Sequence, residues 1–211
     1  MNTTATAPTP TTPGAQKKFK VVYADPPWDI QQKGKARGAE RHYRLMTIDR
    51  IKQMPIADLM DENSTLLLWT TNAALPQALE VMEAWGFAYK TNAVWDKYYM
   101  GLGNWFRGSH EILLHGTRGK APFKFHGQRS TLLFPRQDHS HKPEEMIPVI
   151  ERVLDGPYLE LFARRRPNSH ADWSVWGNEI DSDIVIPGYP VPSDAKHRQA
   201  AAAVTAGGEG Q

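Results

Sequence analysis

Four consecutive residues, Asp25-Pro26-Pro27-Trp28, place a carboxylate, two residues without an N–H and a large flat ring side by side. Neither proline can donate to a sheet ladder, and each drives the residue before it into extended or polyproline geometry. Asp25 is therefore expected on a stiff loop, with its own carbonyl and that of Pro26 unclaimed by a following helical turn. That grouping suits a planar base carrying an exocyclic amine. Such an amine, adenine N6 for example, is a poor nucleophile because its lone pair is delocalised into the ring. The Asp25 carboxylate and the Pro26 carbonyl can accept its two N–H bonds, which favours a more tetrahedral nitrogen with its lone pair aimed outward. Trp28 would stack on the base and fix its plane. The electrophile would be a methyl group on a sulfonium, so neither a metal nor a strong base is required. Catalysis would then rest mainly on positioning and electrostatic preorganisation.

The elements that must position this loop are legible around it. Phe19 to Ala24 is a short run with β-branched and aromatic residues, Val21-Val22-Tyr23, which reads as a buried strand ending at Asp25. Thr47 is a suitable N-cap for a helix through Met54, with Ile48, Ile51 and Met54 on one face. Leu66-Leu67-Leu68-Trp69-Thr70 reads as a second buried strand. A helix capped by Asn72 follows, with Leu75, Ala78, Leu79 and Met82 at helical spacing and Gly86 at its end. Phe87 to Trp95 is a third strand, and this strand–helix–strand rhythm predicts a βαβ unit in a largely parallel sheet. His110 to His115 is a further strand. Pro143 is placed at the first position of a helix whose stripe is Met146, Val149, Ile150 and Val153, closed by Gly156. Tyr158 to Phe162 and the stretch from Trp173 onward complete the core.

Three stretches carry charge or rings without an obvious core role. Gln31 to Arg44 holds Lys33, Lys35, Arg37, Arg41 and Arg44 against Glu40, a composition suited to phosphate contacts. Lys97 to Gly108 interleaves Tyr98, Tyr99, Trp105 and Phe106 with glycines and Arg107, as stacking surfaces for unpaired bases do. His110 to Lys142 has six Lys/Arg and five His against Glu111 and Asp138, and Arg118, Lys120 and Lys124 in it are the expected nucleic-acid-facing patch. His139-Ser140-His141 lacks a spaced third ligand, so no metal site is expected.

The bulk numbers narrow the class. With 211 residues, 40% hydrophobic and 23% charged, the chain suits one globular domain with a sizeable core. Residues 1–16 and 183–211 read as disordered tails, leaving 17–182 as the folded domain. No cysteine is present, which excludes disulfides and Cys-based zinc sites. There is no basic-then-apolar leader and no run long enough to span a membrane, so the expected location is cytoplasmic. The net charge of +2 is too small to argue for nucleic acid by itself. No Gly-x-Gly turn follows the first strand, which argues against a nicotinamide enzyme.

Asp25-Pro26-Pro27-Trp28 after Val21-Val22-Tyr23-Ala24 resembles the adenine-N6 methyltransferases typified by the catalytic subunit of the eukaryotic mRNA adenosine methyltransferase, and is similar to their short bacterial and phage relatives. The likeness extends over roughly Phe19 to Ile180. The family's Lys-Pro pair heading a helix matches Lys142-Pro143, its Glu-Leu-Phe strand followed by Arg matches Glu160 to Arg164, and its Trp then Gly-Asn near the end matches Trp173 with Gly177-Asn178. The resemblance implies an α/β, Rossmann-like S-adenosylmethionine-dependent methyltransferase sheet with helices on both faces. Its order is permuted, the base-binding loop coming first and the cofactor half second. It implies Asp25, Pro26, Pro27 and Trp28 as catalytic residues. Asp25, Lys142, Glu160, Arg164, Asn178 and Glu179 would hold S-adenosylmethionine, and Lys142 would pair with its methionine carboxylate. Tyr43, Lys97, Trp105, Arg107, Glu111, Arg118, Lys120 and Lys124 would meet the substrate. Where the family has Pro-His-Asn after its Arg this chain reads Arg165-Arg166-Pro167-Asn168, so the carry-over in that segment stops at Arg164. The implied partner is nucleic acid, DNA in preference to RNA, with pairing as a homodimer or heterodimer in keeping with such relatives and no membrane. The same loop could hold cytosine N4, and a non-catalytic subunit presenting RNA or DNA to a partner is the other reading left open.

Overall fold

The computed structural model describes residues 17–30, 45–101, 105–135 and 142–195. Tyr43, the cationic stretch 31–44, His139-Ser140-His141 and the segments 1–16 and 196–211 lie outside the described residues. Seven strands form one sheet: β1 (Phe19–Ala24), β2 (Met60–Thr70), β3 (Ala88–Asp96), β4 (His110–Arg118), β5 (Thr131–Leu132), β6 (Tyr158–Leu161) and β7 (Trp173–Trp176). Their order across the sheet is β5-β3-β4-β2-β1-β6-β7. The α-helices are α1 (Ile48–Lys52), α2 (Leu75–Ala84) and α3 (Met146–Val153).

The centre of the sheet is parallel. β1 pairs with β2 on one side and β6 on the other, and β6 pairs with β7, all in the same direction. β4 runs antiparallel between β2 and β3. The expected strand–helix–strand unit is therefore present as β2–α2–β3, but its two strands are not neighbours. This arrangement has a consequence for position: β4 begins at the edge where β1, β2 and β3 end.

Both faces are covered, as strands buried on both sides require. On one face Ile51 of α1 and Ala78, Val81 and Met82 of α2 pack with Val22, Leu66, Leu68 and Leu159. On the other, Met146, Ile147, Ile150 and Val153 of α3 pack with Val21, Tyr23, Leu67 and Trp69. Alternate residues of β1 thus feed opposite cores, which is why its sequence reads as continuously apolar. Thr47 caps α1 by accepting a bond from the Arg50 amide at 3.3 Å. Trp85, just past α2, donates its indole N–H to the Ile51 carbonyl at 2.9 Å and ties the two helices together.

Two expectations need correction. Helix α3 starts at Met146, one turn later than Pro143; the Pro143 carbonyl instead accepts the Met146 amide at 3.1 Å, closing a turn before the helix. The folded body also does not stop at residue 182. Ile186, Tyr189 and Val191 are buried in the first core cluster. Arg166 grips both Asp183 oxygens, at 2.9 and 2.7 Å, while Asp183 accepts the Val175 amide at 2.9 Å. Apolar residues scattered among prolines lack periodicity, so only their packing reveals them as core.

Candidate active site

The C-terminal ends of parallel strands are where open α/β sheets bind ligands, and here that edge collects the charged residues singled out in the sequence. Asp25 follows β1, Lys97 follows β3, Glu111 lies at the start of β4, and Lys142 stands ahead of α3. Lys142 Nζ is 2.6 Å from Asp25 Oδ2 and 3.1 Å from Glu111 Oε2. Lys97 Nζ bonds the other Glu111 oxygen, Oε1. The result is a chain of alternating charge, Asp25–Lys142–Glu111–Lys97, brought together from four separate segments.

Aromatic residues floor this chain. The Lys142 ammonium lies 5.6 Å from the Trp69 ring centroid, and Lys97 lies 4.8 Å from that of Trp95. Trp69 in turn donates its indole N–H to the Tyr23 hydroxyl at 2.7 Å and meets Trp95 edge-on at 6.1 Å. Rings of this kind add cation–π attraction while excluding water.

The electrostatics follow from burial and these neighbours. Burial pushes the Asp25 carboxyl up; Lys142 opposes it and the negative Glu111 adds to it, leaving Asp25 above the usual carboxylate range. Burial also works against the Glu111 charge, but the Lys142 and Lys97 ammonium groups overcome it and hold Glu111 below its ordinary value. For Lys142, burial is outweighed by Asp25 and Glu111 together, and its pKa lies above the usual lysine range. Glu160, level with Tyr23 across the β1–β6 pairing, is different. Its carboxyl is pushed up to about 8, by burial first and then by the negative charge of Asp25, against which Arg165 works.

The loop itself is stiffer than the sequence required, and its carbonyls are not all idle. The Trp28 amide donates to the Pro26 carbonyl at 2.9 Å, and the Met46 amide to the Pro27 carbonyl at 2.9 Å. The expectation that the Pro26 carbonyl carries no obligation is corrected: the turn folds back on itself, leaving that oxygen one lone pair for a ligand. The Trp28 indole N–H donates to the Trp69 carbonyl at 3.1 Å, so the ring is anchored by one edge to the end of β2. Pro26 is buried, while Pro27 and Trp28 are half-buried.

Beyond β1 the same edge continues through β6 and β7. The Ala163 amide donates to the Trp176 carbonyl at 2.9 Å. At Gly177 an added Cβ would lie 2.0 Å from the Ala163 oxygen, so the two backbones approach as only glycine permits. This places Arg164 beside Asn178 and Glu179, with Arg164 Nε 3.0 Å from Glu179 Oε1. Phe162, expected as the last residue of this strand, lies just past β6, takes a left-handed φ of 62° and packs edge-on against Trp176 at 5.4 Å. A bulky residue in that conformation stores strain at the strand end. The only signal in the sequence is a phenylalanine between the strand and Arg164.

The expected basic patch lies elsewhere. Arg118 pairs with Ser64, whereas Ile112 pairs with Thr70, so Arg118 sits at the opposite edge of the sheet, about 20 Å from Ile112 at the rise of a strand. Arg118 donates to the Ala57 carbonyl at 3.0 Å. The Lys120 amide donates to Asn63 Oδ1 at 2.6 Å. Lys124 pairs with Asp155 at 2.8 Å, beyond the C-terminal end of α3. None of the three borders Asp25, because the antiparallel course of β4 carries them away from it. Trp105 and Arg107, by contrast, lie on the β3–β4 connection, which rises from the Asp25 edge.

The donor set fits S-adenosylmethionine. Glu160 stands opposite Tyr23 on the strand beside β1, and burial, then the Asp25 charge, push its carboxyl up. An ammonium or sulfonium bound there would favour its ionised form. Asn178 and Glu179 offer hydrogen bonds suited to ribose hydroxyls. Lys142 commits two of its three N–H bonds to Asp25 and Glu111, leaving one for a ligand carboxylate.

Comparison with known proteins agrees with this geometry. The family described as MT-A70 matches residues 19–179. The chain is 31% identical over 195 residues to the type II methyltransferase M.MunI of a Mycoplasma species, covering 82% of this chain and 82% of that protein. It is 30% identical over 174 residues to the N(6)-adenosine-methyltransferase catalytic subunit METTL3 of Homo sapiens, covering 78% of this chain. A putative N(6)-adenosine-methyltransferase MT-A70-like protein of Medicago truncatula is 30% identical over 172 residues. The aligned region spans only 28% and 26% of those two eukaryotic proteins.

Proposed function

The chain belongs to the MT-A70 family, and on that premise we propose that it transfers the methyl group of S-adenosylmethionine to N6 of adenine in nucleic acid, acting in the cytoplasm. DNA is the preferred polymer, because a relative matched over most of both lengths is a bacterial type II methyltransferase. The observation that carries the reading is the placement of Asp25. It is locked by Lys142 at 2.6 Å, on the same sheet edge as Glu160, Arg164 and Asn178.

S-adenosylmethionine supplies, when bound, a methyl group on a positively charged sulfur. The chain's own residues do the rest. Lys142 takes Asp25 Oδ2, so Oδ1 is the oxygen that accepts one N–H of the adenine amine. The remaining lone pair of the Pro26 carbonyl accepts the other. Holding both hydrogens turns the nitrogen lone pair toward the Glu160 side, where the carboxyls favour a cation. Trp28, anchored on Trp69, keeps the loop from yielding as the base enters. Methylation, in which the methyl's bond to sulfur would break as its bond to N6 forms, would leave N6 with a proton to shed. Asp25, held above the usual carboxylate range by burial, is placed to receive it. A base within a duplex must first be flipped out, at about a few kcal/mol.

The test is methylation of mixed DNA and RNA oligonucleotides with labelled cofactor, followed by mass spectrometry of the digested nucleosides. N6-methyldeoxyadenosine is expected. Label found only in RNA overturns the choice of polymer, and N4-methylcytosine overturns the choice of base. Asp25→Asn keeps the fold, because the residue is outside the core, and is expected to lower kcat by about 10²- to 10³-fold, as loss of one preorganised polar group does.

A further inference from the structure

The β3–β4 connection carries apolar surface that no described part of the chain covers. Past the last ladder pair, Asp96 with His110, the two arms remain joined. The Lys97 amide donates to the Ser109 carbonyl at 2.8 Å and the Gly101 amide to the Gly108 carbonyl at 2.7 Å. The hairpin therefore projects some four residues beyond the sheet, roughly 13 Å at the rise of a strand. Trp105 is 94% exposed and Phe106 96%, with Tyr98, Tyr99 and Met100 also largely in solvent. Each of these rings forgoes about 150–250 Å² of burial that a packed aromatic would have, so the cluster marks a contact surface.

Composition and position define what covers it. Between Lys97 and Ser109 the chain has four aromatic side chains and two cations but no acid. The base of the hairpin is the site itself: Lys97 and Glu111 form half of the charge chain that ends at Asp25. A polymer that brings a base to Asp25 runs past these rings. We infer that Trp105 and Phe106 stack on the nucleobases flanking the target base, with Arg107 on an adjoining phosphate. This identity of the central base rests on the methyltransferase reading; the stacking does not.

The experiment uses the full chain with Trp105→Ala and Phe106→Ala combined, and follows the anisotropy of a short labelled oligonucleotide containing one adenine. Loss of a stacked ring weakens single-strand binding by about 5- to 150-fold, so the double variant is expected to bind at least about tenfold more weakly. Trp105→Tyr, which keeps a stacking face, is expected to recover most of that loss. Melting temperature and calorimetric binding of S-adenosylmethionine are expected to match the parent. Oligonucleotide affinity indistinguishable from the parent overturns the inference. So does sedimentation showing a dimeric parent and a monomeric variant with unchanged affinity per chain, which assigns the rings to a second copy. If the parent binds the oligonucleotide but never methylates adenine, the reading of the reaction fails while the stacking stands on the anisotropy.

Discussion

Replacing Lys142 by methionine removes the cation that two carboxylates share. The side chain of Lys142 is 18% exposed and that of Glu111 17%, while that of Asp25 is 36%. Breaking a fully buried pair by deleting one partner costs about 3–5 kcal/mol. Solvent around Asp25 screens part of this, which brings the expectation to about 2–3 kcal/mol. For a chain of this size that lowers Tm by roughly 4–12 °C. The pH dependence sharpens the test. In the parent, Glu111 lies below its ordinary value, so its contribution is present above the unfolded carboxylate range and fades as pH falls through the folded value. Lys142 lies above its ordinary value, so its contribution is complete at neutral pH and is lost only at strongly alkaline pH. In Lys142→Met, Asp25 loses its ion-pair cation and Glu111 keeps only Lys97, so both carboxyls rise and Asp25 first takes up a proton as the solution becomes mildly acidic. The deficit relative to the parent is therefore largest near neutrality and shrinks toward about pH 5. Adding Asp25→Asn removes the carboxylate that is left without its ion-pair partner, while Glu111 keeps Lys97, and is expected to recover a large part of the loss. Urea unfolding of the parent, the single variant and the double variant at both pH values measures all of this. A Lys142→Met variant as stable as the parent near neutrality, or a deficit that stays constant with pH, refutes the reasoning.

Glu160 gives the opposite slope. With a folded value of about 8 against an ordinary 4.5, the folded chain binds this proton more tightly than the unfolded one, so stability falls as pH rises through that window. The shift corresponds to at most about 5 kcal/mol, and Glu160→Gln is expected to flatten the fall; equal slopes in parent and variant contradict it. At Gly177, the Cβ of an alanine would meet the Ala163 backbone oxygen at 2.0 Å, and neither backbone can yield without moving Arg164 or Asn178. Gly177→Ala is expected to cost about 1–3 kcal/mol and to weaken S-adenosylmethionine binding by calorimetry. Unchanged cofactor affinity removes Gly177 from the site's support.

Local chemistry determined a good deal of this protein before any contact was known. The apolar run Val21-Val22-Tyr23 required a buried strand, and Pro26 and Pro27 required it to stop at Asp25, because neither can continue a ladder. The stripe Met146, Ile150 and Val153 required a helix against the sheet, although that helix begins at Met146 and not at Pro143. What local chemistry could not set was which residues from distant segments meet. Lys97, Glu111 and Lys142 become one charge chain with Asp25 only because β4 enters the sheet antiparallel and starts where β1 ends. The same reversal carries Arg118 to the far edge, although it is only seven positions from Glu111 in the chain. Ile186, Tyr189 and Val191 likewise look like tail until packing shows them as core. Dihedral preference and periodicity are properties of neighbours in sequence and can be read there. Strand order, register and the burial of a charge are settled by contacts between segments far apart, and those exist only in the folded chain.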